Sequence, residues 1–184
     1  MAVVNSVLAK TGWIAEKFML PGTDGSTYLL SDFKDKQGLL VIFTCNHCPY
    51  AKSHWPIYIE LYHKYKDDIN FVAINPNEDQ NYPEDSFDEM KKRTEEWEIP
   101  FPYLRDESQE IATKYDARNT PDSFLFRLVD EQFKLYYRGK VIDNWENPEQ
   151  AEEFFLEDAM KDLIAGKEPP KEQPLGVGCS IKWK

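Results

Sequence analysis

The feature that most limits how this chain can fold is a run of five apolar residues, Leu39-Leu40-Val41-Ile42-Phe43, that ends just before a Cys-x-x-Cys pair, Cys45 and Cys48. A continuous apolar run of this length suits a strand buried on both faces. Behind the pair, Ala51, Trp55, Tyr58, Ile59, Tyr62 and Tyr65 recur at helical spacing. They predict an amphipathic helix over residues 46–66, kinked near Pro56. The aromatic members of that stripe are read as packing rather than as a ligand face.

The rest of the chain alternates in the same way. Glycines and Asp24 between apolar patches predict a short hairpin over residues 19–33, and residues 69–74 (INFVAI) predict a second buried strand. A polar loop over residues 75–85 is read as a solvated connection without a catalytic role. Phe87, Met90, Thr94 and Trp97 mark one stripe of a second helix. Residues 101–104 predict a short strand, and residues 108–115 a short helix capped by Ser108. Residues 123–128 and 133–138 predict a strand hairpin turning near Asp130. Ala151, Phe155, Ala159 and Leu163 predict a last helix that stops near Gly166. Strands alternating with helices argue an α/β domain of three layers, with a central mixed sheet flanked by helices. The domain takes residues 1–166, and residues 167–184 form a proline-rich extended tail.

Composition narrows the function. The 33 acidic and 22 basic side chains give a formal charge of −11, which repels phosphate backbones and anionic lipid surfaces. Nucleic acid and membrane are therefore not the expected partners. No basic leader precedes an apolar core at the N-terminus, and no stretch approaches the roughly 20 apolar residues of a membrane span. The expectation is a cytoplasmic protein. Its three cysteines are too few for a disulfide framework.

A Cys-x-x-Cys pair can exchange disulfides, hold half of a metal site or close an incidental loop. A zinc site needs four ligands, and the further candidates are only His47, His54, His63 and Cys179, with no second pair at ligand spacing. No metal and no cofactor are expected. Between a buried strand and a helix start, the unpaired N–H groups and the helix dipole favour a thiolate. With the helix starting at residue 46, Cys45 is the candidate nucleophile and Cys48, one turn deeper, the resolving thiol. His47, between them, would stabilise the thiolate by a hydrogen bond or by positive charge. Cys179 is the odd cysteine. Fully extended at about 3.3–3.6 Å per residue, the tail is long enough to bring it to the pair, and Ile181 and Trp183 beside it predict that the tail's end docks on the domain. It is a possible additional redox residue.

The run ending in Cys45-Asn46-His47-Cys48-Pro49, followed by a helix, together with Thr120-Pro121-Asp122 opening a strand hairpin and the final GCSIKWK, resembles the thioredoxin-fold redoxins of the AhpC/TSA and TlpA-like branch. The resemblance covers nearly the whole chain and implies a thioredoxin-like fold. It implies a thiol–disulfide oxidoreductase that passes through a mixed disulfide, with Asn46, His47 and Pro49 modulating the pair. It further implies that Pro121 is cis and that Thr120 pairs with the backbone of an extended substrate. The implied partners are a disulfide-containing protein or a small thiol or disulfide, with an electron donor or acceptor that the sequence does not identify.

The chain departs from related patterns in informative places. The peroxiredoxin pattern P-x-x-x-[T/S]-x-x-C is absent: Val41 and Cys45 occupy its Pro and Thr/Ser positions for Cys48, and Gly38 and Ile42 for Cys45. A peroxiredoxin-like antioxidant thiol peroxidase is thus an alternative rather than the leading reading, with Arg118 read as a surface or substrate-facing charge. Thioredoxins keep a buried acid on the strand before the dithiol, and residues 38–44 (GLLVIFT) offer none. A second alternative is a module that catalyses nothing and senses redox state or binds metal through its cysteines.

Overall fold

A computed structural model describes residues 2–184. Its centre is a five-stranded mixed sheet built from β4 (Gly38–Phe43), β5 (Ile69–Asn75), β6 (Tyr103–Arg105), β8 (Asp122–Val129) and β9 (Gln132–Arg138), in the order β6-β5-β4-β8-β9. The β4–β5 and β5–β6 pairs are parallel, whereas β8 runs antiparallel to both β4 and β9.

Every residue of β4 is buried, and the strand shows why its sequence is continuously apolar. Leu40 and Ile42 face one layer with Trp55, Tyr58 and Leu61 of α1 (Pro49–Tyr65), Met90 of α2 (Phe87–Glu96) and Leu156, Met160 and Leu163 of α4 (Phe155–Ile164). Leu39, Val41 and Phe43 face the other layer, with Phe18, Leu20, Phe33 and Ile111, the last on α3 (Glu110–Lys114). The result is the three-layer α/β domain that the alternation predicts, and the aromatic stripe of α1 is core packing.

Four elements begin elsewhere than expected, among them α4, which starts at Phe155 and leaves Ala151 outside the helix. The helix α1 starts at Pro49 rather than at residue 46. Proline suits the first helical position, where its missing N–H costs nothing, and it forces the preceding residue out of the helical region. Cys48 accordingly has φ −68 and ψ 129 and is the N-cap. The strand expected over residues 101–104 shifts to β6, because Pro100 and Pro102 lack the N–H that a ladder needs. The short helix shrinks to α3, where Gln109, in a left-handed conformation at φ 64, takes the N-cap position in place of Ser108. The hairpin at the N-terminal side is β2 (Met19–Pro21) with β3 (Thr27–Leu29). Among the described residues, no helix is long and apolar enough to cross a membrane.

A second, three-stranded antiparallel sheet brings the two ends of the chain together. In it β10 (Val177–Ser180) lies between β1 (Val3–Asn5) and β7 (Asn119–Thr120). Most of the stretch from residue 167 onward is extended, but its last part is fixed. Ile181 is buried, Lys182 N–H donates to Asn77 Oδ1 at 2.9 Å, and Gln109 Nε2 donates to the Lys182 carbonyl at 2.7 Å. Trp183, expected to dock with Ile181, is 45% exposed.

Candidate active site

The Cys-x-x-Cys pair occupies the loop between the carboxyl end of β4 and the first turn of α1. Cys45 lies in the loop, outside the helix, and Cys48 caps the helix. This reverses the expected placement, in which Cys45 sat at the helix start. Both cysteines are 0% exposed and share one apolar cluster with Ala51 and Cys179.

Thr120 is the common neighbour. Its Oγ1 is 3.3 Å from Cys45 Sγ, and its carbonyl oxygen is 3.4 Å from Cys48 Sγ, placed to accept a hydrogen bond while that thiol is protonated. The Thr120–Pro121 peptide is cis, as the resemblance implies. The next residue, Asp122, is buried in a two-point ion pair with Arg138, whose Nε and Nη2 donate to Oδ1 and Oδ2 at 3.2 and 2.7 Å. Arg138 Nη2 also donates to the Asp116 carbonyl at 2.8 Å. A fully paired and hydrogen-bonded buried charge holds the segment after Pro121 in one geometry.

The electrostatics separate the two thiols. Burial pushes the Cys45 thiol well up, helped by its hydrogen bond to Cys48 and by the negative charge of Asp85. Cys48 is held down to about 5, chiefly by the hydrogen bond from Cys45, which together with the Cys179 thiol and the N–H groups of Ala51 and Cys179 outweighs desolvation. The helix N-terminus at Cys48 works in the same direction. Of the two, Cys48 is thus shifted toward the thiolate and Cys45 toward the protonated thiol.

Under the loop lies a buried polar group from residues 75–85, which are not the solvated connection expected from their composition. Asp85 is 0% exposed and accepts from Asn46 N–H at 2.7 Å, His47 Nδ1 at 2.6 Å, Asn77 Nδ2 at 2.7 Å and Asn75 Nδ2 at 3.3 Å. Burial is the largest single influence on its carboxyl and works upward. The bonds from His47, Asn77 and Asn46 together outweigh it, so the group stays below the usual carboxylate value. Asn46 is fixed further, accepting from Tyr103 Oη at 3.0 Å and donating to the Glu84 carbonyl at 2.8 Å. The buried acid that β4 lacks is thus delivered by the loop following β5. No spacing rule signals it, because Asp85 reaches the dithiol only through the tertiary fold.

Cys45 Sγ, one ring nitrogen of His47 and one Asp85 oxygen lie within 4.8 Å of one another. A divalent ion there would have to displace hydrogen bonds that Asp85 already accepts, and it would still need a fourth ligand for a tetrahedral zinc site. The arrangement suits proton handling better. His47 Nδ1 faces the carboxylate, while its buried Nε2 has no hydrogen-bond partner among the described residues.

The other expected residues are placed as follows. Pro49 is exposed as the first residue of α1. His47 stacks on Tyr82 with ring centroids 5.2 Å apart, and Tyr50, packed on the thiol cluster, stacks on Trp145 at 3.7 Å. His54 is buried and His63 exposed, both on α1. Arg118 is a surface charge paired with Asp116 at 2.5 Å.

The strand edge of Thr120, expected to receive an extended substrate, is already filled. Cys179 of β10 pairs with Thr120 in antiparallel register. A Cβ on Gly178 would run into the Thr120 carbonyl, so glycine permits this close approach. Beside cis-Pro121, a cavity of about 190 Å³ is lined by Trp145, Gly139 and Val177 among others.

A family model described as the AhpC/TSA family matches residues 11–142. No curated protein matches the chain. Among solved structures, an uncharacterized conserved protein from Geobacillus kaustophilus is 38% identical with a TM-score of 0.91, the match covering 100% of this chain and 97% of that one. A hypothetical protein from Sinorhizobium meliloti 1021 is 31% identical with a TM-score of 0.89, covering 98% of each chain. The thioredoxin domain of a thiol-disulfide oxidoreductase from Bacteroides vulgatus is 20% identical with a TM-score of 0.58, covering 72% of this chain and 91% of that one. That last likeness is one of fold, and the fold is thioredoxin-like.

Proposed function

Because the chain belongs to the AhpC/TSA family, we propose that it is a thiol–disulfide oxidoreductase that cycles Cys45 and Cys48 between dithiol and disulfide. The family and its structural neighbours point to redox enzymes of the thiol–disulfide oxidoreductase or peroxidase-like kind. The observation that carries the narrower reading is the split between two adjacent thiols. One caps the helix and is shifted down, while the other lies in the loop, buried, and is shifted up.

In this reading Cys48 attacks a substrate disulfide, forms a mixed disulfide and releases the first substrate thiolate. Cys45 then gives up its proton and attacks the Cys48 sulfur, releasing the second substrate thiol and leaving the Cys45–Cys48 disulfide. Cys45, with its raised pKa, needs a proton acceptor. His47, backed by Asp85, is the group that serves. The nucleophile is thus the cysteine that the sequence alone would make the resolving one, because Pro49 moves the helix start to Cys48.

Substrate size follows from what covers the site. An extended polypeptide can add to Thr120 only if β10 leaves, and β10 is held between two strands. A small disulfide requires only that the Tyr50–Trp145 cover shift, and the cavity beside Pro121 has room for part of such a molecule. Small-molecule thiols and disulfides are the favoured partners. The cytoplasm is the compartment this reading assumes, since its cysteine usage suits reducing conditions.

The test is turnover of a small disulfide such as glutathione disulfide with dithiothreitol as donor. Wild type should turn over, Cys48→Ser should lose activity, and Cys45→Ser should be slowed because it lacks the first resolving thiol. Turnover by Cys48→Ser at the wild-type rate would refute the scheme. Peroxide consumption by the same sample, in excess of disulfide turnover, would favour a peroxidase instead.

A further inference from the structure

The thiol cluster contains three sulfurs rather than two, and the third comes from the far end of the chain. Cys179 is 2% exposed and packs with Cys45, Cys48 and Ala51. Its position is set by main-chain pairing. In β10 it stands opposite Thr120 on one side and opposite Val3 on the other. Thr120 is also the residue whose hydroxyl touches Cys45 and whose carbonyl touches Cys48. One residue therefore registers all three thiols, and the strand that carries the third is clamped on both edges. The flanking contacts of Lys182 with Asn77 and Gln109 fix the strand's end.

We propose that Cys179 is a second resolving thiol, so that Cys48 exchanges between two internal disulfides, Cys45–Cys48 and Cys48–Cys179. The proposal rests on the reading of Cys48 as nucleophile. Once Cys48 has formed a mixed disulfide with a small disulfide RSSR, the Cys179 thiol loses its proton to the departing thiolate and attacks the Cys48 sulfur. The Cys48–Cys179 bond forms and the Cys48–SR bond breaks, releasing the second RS⁻. In sum, one protein thiolate, one protein thiol and RSSR give one protein disulfide, RSH and RS⁻, a two-electron exchange. From the other oxidised form, Cys179 attacks Cys48 of the Cys45–Cys48 disulfide and Cys45 leaves, taking the proton that Cys179 surrendered, with no net oxidation.

Cys179 is pushed up to about 12, first by burial and then by its hydrogen bond to Cys48, so it rests as a protonated donor in the same sense as Cys45. A low-pKa sulfur flanked by two high-pKa thiols is the arrangement in which either neighbour can resolve an adduct on the central one. The consequence is a path that carries oxidising equivalents from the dithiol loop to β10.

The test is disulfide mapping after treatment of the full chain with excess glutathione disulfide. In Cys45→Ser, and in Cys45→Ala as a second variant, the main intramolecular disulfide should be Cys48–Cys179. The Cys45→Ser/Cys179→Ser double variant should retain a glutathione adduct on Cys48 instead. Gly178→Ala, which displaces β10 from Thr120, should lower the Cys48–Cys179 yield in the Cys45→Ser background while leaving Cys45–Cys48 formation intact when Cys45 is present. Absence of a Cys48–Cys179 link in both single variants, whether an adduct persists or none forms, overturns the proposal. Absence of the Cys45–Cys48 link in wild type would instead overturn the proposed function.

Discussion

His47 Nδ1 lies 2.6 Å from Oδ2 of Asp85, which ties the dithiol loop to a buried carboxylate delivered by a distant loop. The same carboxylate accepts the N–H of Asn46, so two of the four residues from Cys45 to Cys48 are anchored to it. Asp85 acts on the thiols in two ways: it orients His47, and its charge disfavours ionisation of Cys45.

Asp85→Asn is therefore expected to lower the pKa of Cys45 and to make the disulfide more oxidising, because the reduced form loses a repulsive charge. It should also destabilise the protein by about 1–3 kcal/mol, since an amide cannot satisfy all four donors that now converge there. The pH dependence has a definite sign. The Asp85 carboxyl is held below its ordinary value of 3.8, so its contribution is complete above that value and is lost as pH falls through the folded pKa. Urea midpoints measured on both proteins down the acid range check this, and an unchanged redox potential in the variant would remove Asp85 from the site's electrostatics.

The Cys48 thiolate makes a second pH prediction. Its folded value of about 5 lies below the ordinary thiol value of 9.0. The folded state therefore binds the thiolate better than the unfolded chain does. Stability of the reduced protein should rise as pH increases from about 5, be complete above 9.0 and be lost as pH falls through about 5. Thiolate ultraviolet absorbance should show a transition near the lower value that vanishes in Cys48→Ser. Cys45→Ser should shift that transition, because Cys45 supplies the largest stabilising hydrogen bond. A transition that survives Cys48→Ser and disappears in Cys45→Ser would return the nucleophile to Cys45.

These relationships show what the sequence could and could not disclose. The apolar run of β4 and the stripe of α1 were legible because burial on two faces, or on one helical face, leaves a local period. The dithiol was legible because its spacing is local too. The identity of the capping cysteine turned on Pro49, a local signal that helix periodicity overrode. Asp85, Asn75 and Asn77 were not legible, because a polar loop has the same composition whether it is solvated or folded under a site. The docking of β10 was legible only in part. Ile181 signalled burial, but a four-residue strand held by partners at both ends of the chain leaves no pattern of its own.

Arg138 offers a stability test away from the thiols. Its side chain is 2% exposed and its partner Asp122 1%. Removing one member strands the other charge in the core, so Arg138→Ala should cost about 3–5 kcal/mol. Arg138→Lys should recover part of that loss without restoring the two-point geometry. Because Asp122 lies two residues from Thr120, which touches both thiols, the lysine variant should also shift the redox potential while remaining folded. Chemical denaturation of both variants and a potential measurement on the second check this. A fully stable alanine variant would show that the pair is dispensable.

The last prediction concerns substrate size. The Thr120 edge is paired with Cys179, and the three thiols are shut from solvent. A substrate that binds by adding a strand must first displace β10, whereas a small disulfide has no such requirement. Wild type should therefore turn over glutathione disulfide much faster than a folded protein disulfide such as insulin's. Gly178→Ala, by pushing β10 away from the Thr120 carbonyl, should narrow that gap by raising the protein-disulfide rate more than the small-disulfide rate. Rates are read with one common electron donor for both substrates. If wild type reduces insulin as readily as glutathione disulfide, or if loosening β10 leaves the ratio unchanged, the strand is not what restricts the site.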